Sequence, residues 1–232
     1  MNIFQFFKDV ISPKKCYQCK KLWHFFCPQC FEKFKTYNEF CYECKGTNRD
    51  FQIHEACQKS WNFDAVIILG RYKNYPLQKL IADGKYYGRK EIYYDMGLYL
   101  SKLFLKHHTI VDKDKYVIVS APMHFFRRWK RGYNHSHILA QKVSKELGIL
   151  YNSRIIVKKK YTKQQSHLTR EERLKNLTGV FFLDSQDMSY LKWKTIILID
   201  DVISTGATLN ELAKILKESG VKKVVWLVIA SD

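Results

Sequence analysis

The cysteines of this chain are confined to its N-terminal quarter. All seven lie within the first 57 of 232 residues; six form three C-x-x-C pairs, and the seventh forms an H-x-x-C pair with a histidine. In a reducing compartment such pairs are typical of metal sites rather than disulfides. Eight ligands complete two tetrahedral zinc sites and leave no open position for a reacting water, so we predict structural rather than catalytic zinc. The predicted ligands are Cys16, Cys19, Cys27, Cys30, Cys41, Cys44, His54 and Cys57.

Two assignments of these ligands fit the spacing. In the sequential assignment Cys16, Cys19, Cys27 and Cys30 hold one ion and the other four residues hold the second. An interleaved arrangement, as in cross-braced domains, uses the same eight residues. The second site depends on His54, for which an exposed loop position is the alternative. Because the region is too short to bury a large core, we expect the metal to supply its folding energy.

A second chemical signal lies where a buried apolar strand meets an amphipathic helix, at residues 200–208. Backbone amides at a helix N-terminus, together with the helix dipole, favour a bound phosphate. Gly206 lets the backbone approach such an anion closely. Two adjacent aspartates at the strand end can accept hydrogen bonds from ribose hydroxyls; the alternative is a capped helix start with two solvated aspartates. The predicted sugar-phosphate site consists of Asp200, Asp201, Ser204, Thr205, Gly206, Ala207 and Thr208.

Positive charge is concentrated in one stretch of the sequence. The formal net charge is +18, and residues 124–175 contain 14 Lys and Arg against 3 acidic residues. Such a surplus favours an anionic partner, with an ordinary solvated surface as the alternative. Within the stretch, arginines are interleaved with aromatic residues, which suits a single-stranded nucleic acid whose bases stack on the rings. The aromatic residues are Phe125, Phe126, Trp129 and Tyr133, and local core packing is the alternative for the first three.

Alternating strands and helices must position these residues. Apolar patterns predict strands at 65–69, 116–120, 195–199 and 224–229, and helices at 89–106, 136–147 and 207–219. This alternation predicts an α/β fold with an open parallel sheet, so we place a zinc-binding domain at residues 1–60 and an α/β domain at 61–232. The P-loop lysine motif and G-x-G-x-x-G are both absent from the sequence. Without a long apolar run or a signal-peptide pattern, we expect a cytoplasmic protein that does not insert into membranes.

Three motifs and the cysteine pairs resemble those of known proteins. Residues 200–208 resemble the loop of type I phosphoribosyltransferases that binds phosphoribosyl pyrophosphate (PRPP). Residues 122–135 resemble the arginine-rich "RRGFNQ" segment of the ComF family, and residues 165–176 resemble its "Q-x-x-L-x-R-x-x-R-x-x-N" loop. The cysteine pairs match that family's N-terminal double zinc ribbon. The resemblance covers nearly the whole chain and identifies it as a member of the ComF family.

The resemblance implies a role for each motif. A type I phosphoribosyltransferase-like sheet flanked by helices would follow the zinc ribbon. Residues 204–208 would hold the 5′-phosphate, and Asp200 and Asp201 the ribose hydroxyls. The turn at residues 120–122 would receive the pyrophosphate, although it reads Ser-Ala-Pro where the family has "PVP". A second departure is His135, which stands where the family has Gln.

The resemblance also implies two candidate functions. In one, the protein binds PRPP or a nucleotide phosphate together with single-stranded DNA, and acts with a ComFA-type ATPase in DNA uptake during natural transformation. In the other, it is an active phosphoribosyltransferase that uses Mg²⁺-PRPP, with Asp200 and Asp201 as catalytic residues. Ser204 occupies the position where purine-salvage enzymes place an acidic base, which argues against a purine acceptor. The arginines expected to bind pyrophosphate or DNA are Arg127, Arg128, Arg131, Arg170 and Arg173.

Overall fold

Four parallel strands form the central sheet in this computed structural model, which describes residues 13–37, 39–123, 125–158, 179–184 and 188–231. In spatial order they are β1 (Ala65–Arg71), β6 (Lys223–Ser231), β5 (Thr195–Ile203) and β2 (Tyr116–Ser120). Each strand contains one of the predicted apolar runs, because a parallel sheet covered on both faces buries almost every side chain of its strands. All four predicted strands are therefore confirmed.

Helices cover both faces of this sheet. The described helices are α1 (Pro28–Glu32), α2 (Leu77–Tyr86), α3 (Glu91–His107), α4 (Phe125–Arg131), α5 (His135–Leu147) and α6 (Ala207–Glu218). Helices α2, α3 and α5 bury their apolar sides against one face, and α6 packs on the other. The predicted helices correspond to α3, α5 and α6, so the expected parallel sheet flanked by helices is confirmed. Among the described residues, none of these helices is both long and apolar enough to cross a membrane.

The carboxyl ends of the strands lie at one edge of the sheet, and β5 extends further toward that edge than its apolar run predicted. Asp200 and Val202 pair with Val228 and Ala230 of β6, so hydrogen bonding to the neighbouring strand continues to Ile203. The two aspartates therefore belong to the strand itself. At the same edge, β2 ends at Ser120 and leads into the turn at residues 120–122.

A small antiparallel pair stands apart from the central sheet. Strands β3 (Ile156–Lys158) and β4 (Phe181–Leu183) pair over three residues each, which is too short to give a periodic signal in the sequence. They lie on either side of residues 159–178, a stretch that falls outside the described residues. The segment resembling the family loop, with Arg170 and Arg173, lies in that stretch.

The cysteine-containing region packs into the same cores as the sheet. Phe26 is fully buried, and its ring contacts Tyr99 of α3 edge-on at 5.8 Å, while Phe31 stacks on Tyr99 at 4.0 Å. On the other face of the sheet, Tyr42 and Trp61 join the core beneath α6. Residues on both sides of the proposed boundary at position 60 therefore share both hydrophobic cores, and the two-domain division stays a prediction.

Candidate functional site

The loop that joins β5 to α6 has the geometry of an anion site. Gly206 is the N-cap of α6 and adopts a left-handed conformation, with φ of 73°. No side chain of the described residues caps the first turn of α6, and that turn contains no acidic residue. A helix start without a side-chain cap leaves its first backbone N–H groups available to an anion, which is the arrangement that suits a phosphate. Ser204 is exposed and Thr205 and Thr208 are half-buried, so these predicted ligands lie around the same helix start.

Asp201, the second aspartate of β5, is buried and held between Lys85 and His135. Lys85 of α2 places its Nζ 2.8 Å from Oδ2, and His135 of α5 places its Nε2 3.3 Å from the same oxygen. Burial by itself would raise the pKa of Asp201, but the charges of His135 and Lys85 outweigh it and hold that pKa well below its ordinary value. Asp201 is therefore an anchored carboxylate, and the interpretation as a solvated aspartate is wrong for it.

Asp200 has a different environment although it is adjacent in sequence. The hydroxyl of Ser136 donates to its Oδ1 at 2.8 Å, and the backbone N–H of Asp201 donates to the same oxygen at 2.9 Å. Burial and the neighbouring charge of Asp201 raise the pKa of Asp200. None of the contacts described for this residue uses Oδ2. Asp200 is therefore the carboxylate better placed to accept a hydrogen bond from a ligand.

The turn after β2 opens into a cavity of about 550 Å³. Its polar wall includes Ser120, whose hydroxyl shares a hydrogen bond of 2.9 Å with Tyr151. Three cationic side chains line the cavity, namely Arg128, Arg154 and Lys158. The cavity begins at residues 120–122, where the resemblance implies a pyrophosphate loop, and its size and charge suit an anion of that kind.

Helix α4 carries the predicted arginine-rich surface. Phe126 and Trp129 are 62% and 77% exposed, so local core packing, the alternative considered above, does not apply to these two rings. Arg128 is exposed and Arg131 half-buried, close enough to Lys85 for its charge to oppose protonation of that lysine. Tyr133 instead packs edge-on against Tyr93 and donates its hydroxyl to the carbonyl of Gly84.

The remaining residues predicted for this surface cannot be placed. Arg127 lies within α4, but its side chain is outside the described part of the chain, as is that of Phe125. Arg170 and Arg173 lie outside the described residues altogether. Their expected contacts with pyrophosphate or DNA stay predictions.

The predicted metal ligands form two clusters in sequential order. Cys16, Cys19, Cys27 and Cys30 bring their sulfur atoms to within 4.8 Å of one another. The sulfur atoms of Cys41, Cys44 and Cys57 and a ring nitrogen of His54 lie equally close together. The interleaved arrangement is not the one adopted.

Both clusters have the donor chemistry that zinc requires. Burial would raise the pKa of Cys16 and Cys41, but backbone N–H groups directed at each sulfur lower it to about 7 in both. His54 belongs to the second cluster, where its Nδ1 lies 3.2 Å from the sulfur of Cys44. Thiolates and one imidazole are the ligands of structural zinc, so each cluster can hold such an ion.

Sequence reasoning missed the partners of the two aspartates. Lys85 lies in a helix that no strong apolar pattern predicted, and Ser136 is an ordinary position early in α5. His135 departs from the family motif, and its contact with Asp201, 3.3 Å from Nε2 to Oδ2, gives that departure a structural role. Proximity in three dimensions, rather than any spacing in the sequence, brings these residues to the site.

Comparison with known proteins adds independent information. The phosphoribosyl transferase domain family model matches residues 134–232. Competence protein F of Haemophilus influenzae is 30% identical over 97% of both chains. The DNA utilization protein YhgH of Escherichia coli is 28% identical over 92% of this chain and 96% of its own, and competence protein ComFC of Bacillus subtilis is 25% identical over 89% and 79%. This chain therefore belongs to the ComF family, with a phosphoribosyltransferase-type domain in its C-terminal part.

Proposed function

We propose that this protein binds PRPP or a related nucleotide phosphate and single-stranded DNA, and that it acts in DNA uptake during natural transformation. The observation that carries the proposal is the start of α6, which no described side chain caps and which follows the two aspartates of β5. Arg131 of the arginine-rich helix α4 lies near Lys85, the partner of Asp201. The names of the relatives, which concern competence and DNA utilization, support the biological setting.

In this proposal, three parts of the site bind different groups of the sugar phosphate. Backbone amides of residues 204–208 hold the 5′-phosphate, and Asp200 accepts from the ribose hydroxyls. Asp201, held by Lys85 and His135, anchors the end of β5. The cavity beside residues 120–122 receives the pyrophosphate, with Arg128 at its wall. This arrangement positions a sugar phosphate without assigning it a reaction.

In this proposal, magnesium is bound to the pyrophosphate of the ligand. His135, Asp200 and Asp201 each bring one ligand atom to within 4.8 Å of the others. However, Lys85 already neutralises Asp201, and Mg²⁺ prefers oxygen ligands to a histidine nitrogen. We therefore assign no protein side chain to magnesium and place it on the ligand's own phosphates. Structural zinc, by contrast, is proposed at both cysteine clusters.

The single-stranded DNA is placed along α4. Rings of Phe126 and Trp129 offer stacking surfaces, and Arg128 and Arg131 offer charge to the backbone. A ComFA-type ATPase that drives import is the proposed protein partner, and the cytoplasm is the proposed compartment. The second candidate function, transfer of ribose 5-phosphate to an unknown acceptor, is favoured by the cationic cavity at the pyrophosphate position, since such charge stabilises a leaving pyrophosphate.

A titration of labelled single-stranded DNA, at several salt concentrations and with or without Mg²⁺-PRPP, tests this proposal. Each phosphate contact contributes about 0.7 to the slope of log affinity against log salt. We expect replacement of Arg127, Arg128 and Arg131 by glutamine to weaken binding and to lower the slope by roughly 2. The matched control replaces three exposed lysines outside α4, which are Lys102, Lys214 and Lys222.

The outcomes separate the two ligands. Asp200→Asn should weaken PRPP binding, and competition between PRPP and DNA would place both in one groove. No DNA binding at physiological salt would refute the DNA part and leave the transferase as the working hypothesis. PRPP binding that is unaffected by Asp200→Asn would refute the placement of the ribose.

A further inference from the structure

The two metal clusters are built on a repeated five-residue turn. Residues 16–20 read Cys-Tyr-Gln-Cys-Lys and residues 41–45 read Cys-Tyr-Glu-Cys-Lys. In each turn the backbone N–H of the lysine donates to the carbonyl of the first cysteine, at 2.8 and 2.9 Å, and the lysine has a left-handed φ of 66° or 61°. The tyrosine therefore occupies the same position in both turns.

The two tyrosines contact different parts of the molecule. Tyr17 of the first turn donates its hydroxyl to Asp83 at the end of α2 and accepts from Arg89 at 2.7 Å. Tyr42 of the second turn donates to the backbone carbonyl of Ser204, in the phosphate loop, at 3.3 Å. The second cluster thus has a direct contact with the loop, and the first is directed at a different helix.

Trp61 adds a second link between the same cluster and the loop. A Cβ atom at Gly206 would lie 2.9 Å from the Trp61 ring and 3.1 Å from the Tyr42 ring, so both rings rest against the glycine backbone. The indole N–H of Trp61 donates to the Glu43 carboxylate at 2.5 Å, and Tyr42 packs edge-on against the indole at 5.4 Å. The rings of Tyr42 and Trp61 thus form a wall behind Gly206. Glu43, the neighbour of Tyr42 in the second turn, fixes the Trp61 ring through its hydrogen bond.

We propose that the second metal cluster sets the shape of the phosphate loop, with Tyr42 and Trp61 as the positioning residues that connect them. This inference rests on the proposed binding of phosphate by residues 204–208. A metal ion held by Cys41 and Cys44 fixes the turn that contains Tyr42. The rings of Tyr42 and Trp61 in turn pack against Gly206 and orient the backbone amides of the loop. Coupling between two sites is reciprocal. If metal at the second cluster strengthens ligand binding in the phosphate loop by some factor, the ligand must strengthen metal binding at that cluster by the same factor.

Two variants at equivalent positions test the positioning role. Tyr42→Phe removes the hydroxyl that donates to Ser204 and keeps the ring, whereas Tyr17→Phe makes the same change in the first turn. We expect Tyr42→Phe to weaken Mg²⁺-PRPP binding about threefold to tenfold, as for loss of one hydrogen bond, and Tyr17→Phe to leave it unchanged. Trp61→Phe, which reduces the wall behind Gly206, should weaken it further. Calorimetric titration of the zinc-loaded, full-length protein gives these affinities.

Zinc release provides the reciprocal measurement. A chromogenic chelator, titrated to equilibrium, should remove zinc in two transitions, and Cys19→Ser and Cys44→Ser variants assign each transition to a cluster. We expect saturating Mg²⁺-PRPP to raise the chelator concentration needed to remove zinc from the second cluster only, and Trp61→Phe to abolish that protection. Equal protection of both clusters, or protection of neither, would overturn the inference.

The proposed function and this inference fail in different ways. If Mg²⁺-PRPP does not bind the wild-type protein, the phosphate site is wrong and both are overturned. If it binds and Asp200→Asn weakens it, while Tyr42→Phe and Trp61→Phe keep wild-type affinity, the phosphate site stands and the connection to the second cluster is refuted.

Discussion

At the scale of single residues, the two neighbouring aspartates of β5 show how environment separates identical side chains. Asp201 contacts Lys85 and His135 and has a lowered pKa, whereas Asp200 has hydrogen-bond donors on one oxygen and a raised pKa. Two buried like charges side by side would repel each other strongly, and Lys85 with His135 offsets that repulsion. The pair can therefore present one carboxylate to a ligand while the other stays inside.

Replacement of Lys85 tests how much this lysine stabilises the buried charge of Asp201. We expect Lys85→Met to lower the free energy of unfolding at neutral pH by about 3 kcal/mol, because it leaves a buried carboxylate with one partner fewer. The lowered pKa of Asp201 stabilises the fold above the unfolded-state pKa of about 3.9, and this stabilisation is lost as the pH falls through that region. The difference between wild type and variant should therefore be largest near pH 7 and shrink below about pH 4. Urea unfolding across this pH range measures it.

Lys79 offers the control for that measurement. It pairs with buried Asp83 at 3.1 Å, but its own side chain is 51% exposed and Asp83 keeps Arg89 as a second partner. Lys79→Met should therefore lower the free energy of unfolding by less than about 1 kcal/mol. A loss in Lys85→Met that does not change with pH would contradict the assigned role of the ion pair.

Prediction of residues from sequence is strongest where the chemistry is local. C-x-x-C spacing places two sulfurs on one tight turn, so Cys16 and Cys19, or Cys41 and Cys44, are recognisable as candidate ligands of one ion without knowledge of the fold, and the structure brings each pair into a cluster that can hold a metal. Lys85 has no such signal, because its contact with Asp201 depends on how α2 packs against the sheet edge. The sequence similarly contains nothing that directs Tyr42 to Ser204.

At the scale of elements, the start of α6 shows why a glycine is required there. Gly206 combines a left-handed φ of 73° with two aromatic rings at its Cα. Gly148, which follows α5, has a similar φ of 65°, but a Cβ there would meet only the flexible end of Lys113 at 2.7 Å. The two positions therefore share backbone strain and differ in the space available.

This comparison gives a prediction about element boundaries. Gly148→Ala should lower the free energy of unfolding by about 1 kcal/mol, the usual penalty for a left-handed alanine. Gly206→Ala should lower it by about 3 kcal/mol, because displacement of a packed ring adds to the same penalty. Urea unfolding of both variants at one pH measures the difference. Equal losses would show that Trp61 and Tyr42 yield easily and do not form a fixed wall.

Periodic patterns predicted the elements that face a core and missed those that do not. Apolar runs fixed the four strands of the sheet, and helical spacing fixed α3, α5 and α6. Helix α4 has no apolar stripe, since aromatic and basic residues alternate along it and Trp129 is exposed. Helix α2 is short and contains Gly84, which weakens any helical pattern. The strands β3 and β4 are only three residues long and depend on pairing with each other, so they give no periodic pattern in the sequence.

At the scale of the whole molecule, the cysteine-containing region and the sheet behave as one packed body in the described residues. Phe26 of the first region contributes to the same core as Tyr99 of α3, and Tyr42 of that region to the same core as Trp226 of β6. We therefore expect metal binding to stabilise the entire chain and not just residues 1–60. The prediction of two domains rests on where the cysteines stop in the sequence, a pattern that contains no information about which surfaces pack together.

Phe26→Ala tests this view of a single cooperative unit. The ring is fully buried in the metal-binding region, so its loss should lower the free energy of unfolding by about 4 kcal/mol and the melting temperature by roughly 10 °C. If the chain is one unit, zinc release and loss of the far-ultraviolet circular dichroism signal will share one midpoint, and both will move together in the variant. Phe126→Ala, at a ring that is 62% exposed, should move neither. Two independent domains would instead give zinc release its own midpoint, and Phe26→Ala would shift that midpoint while the sheet melted as in the wild type.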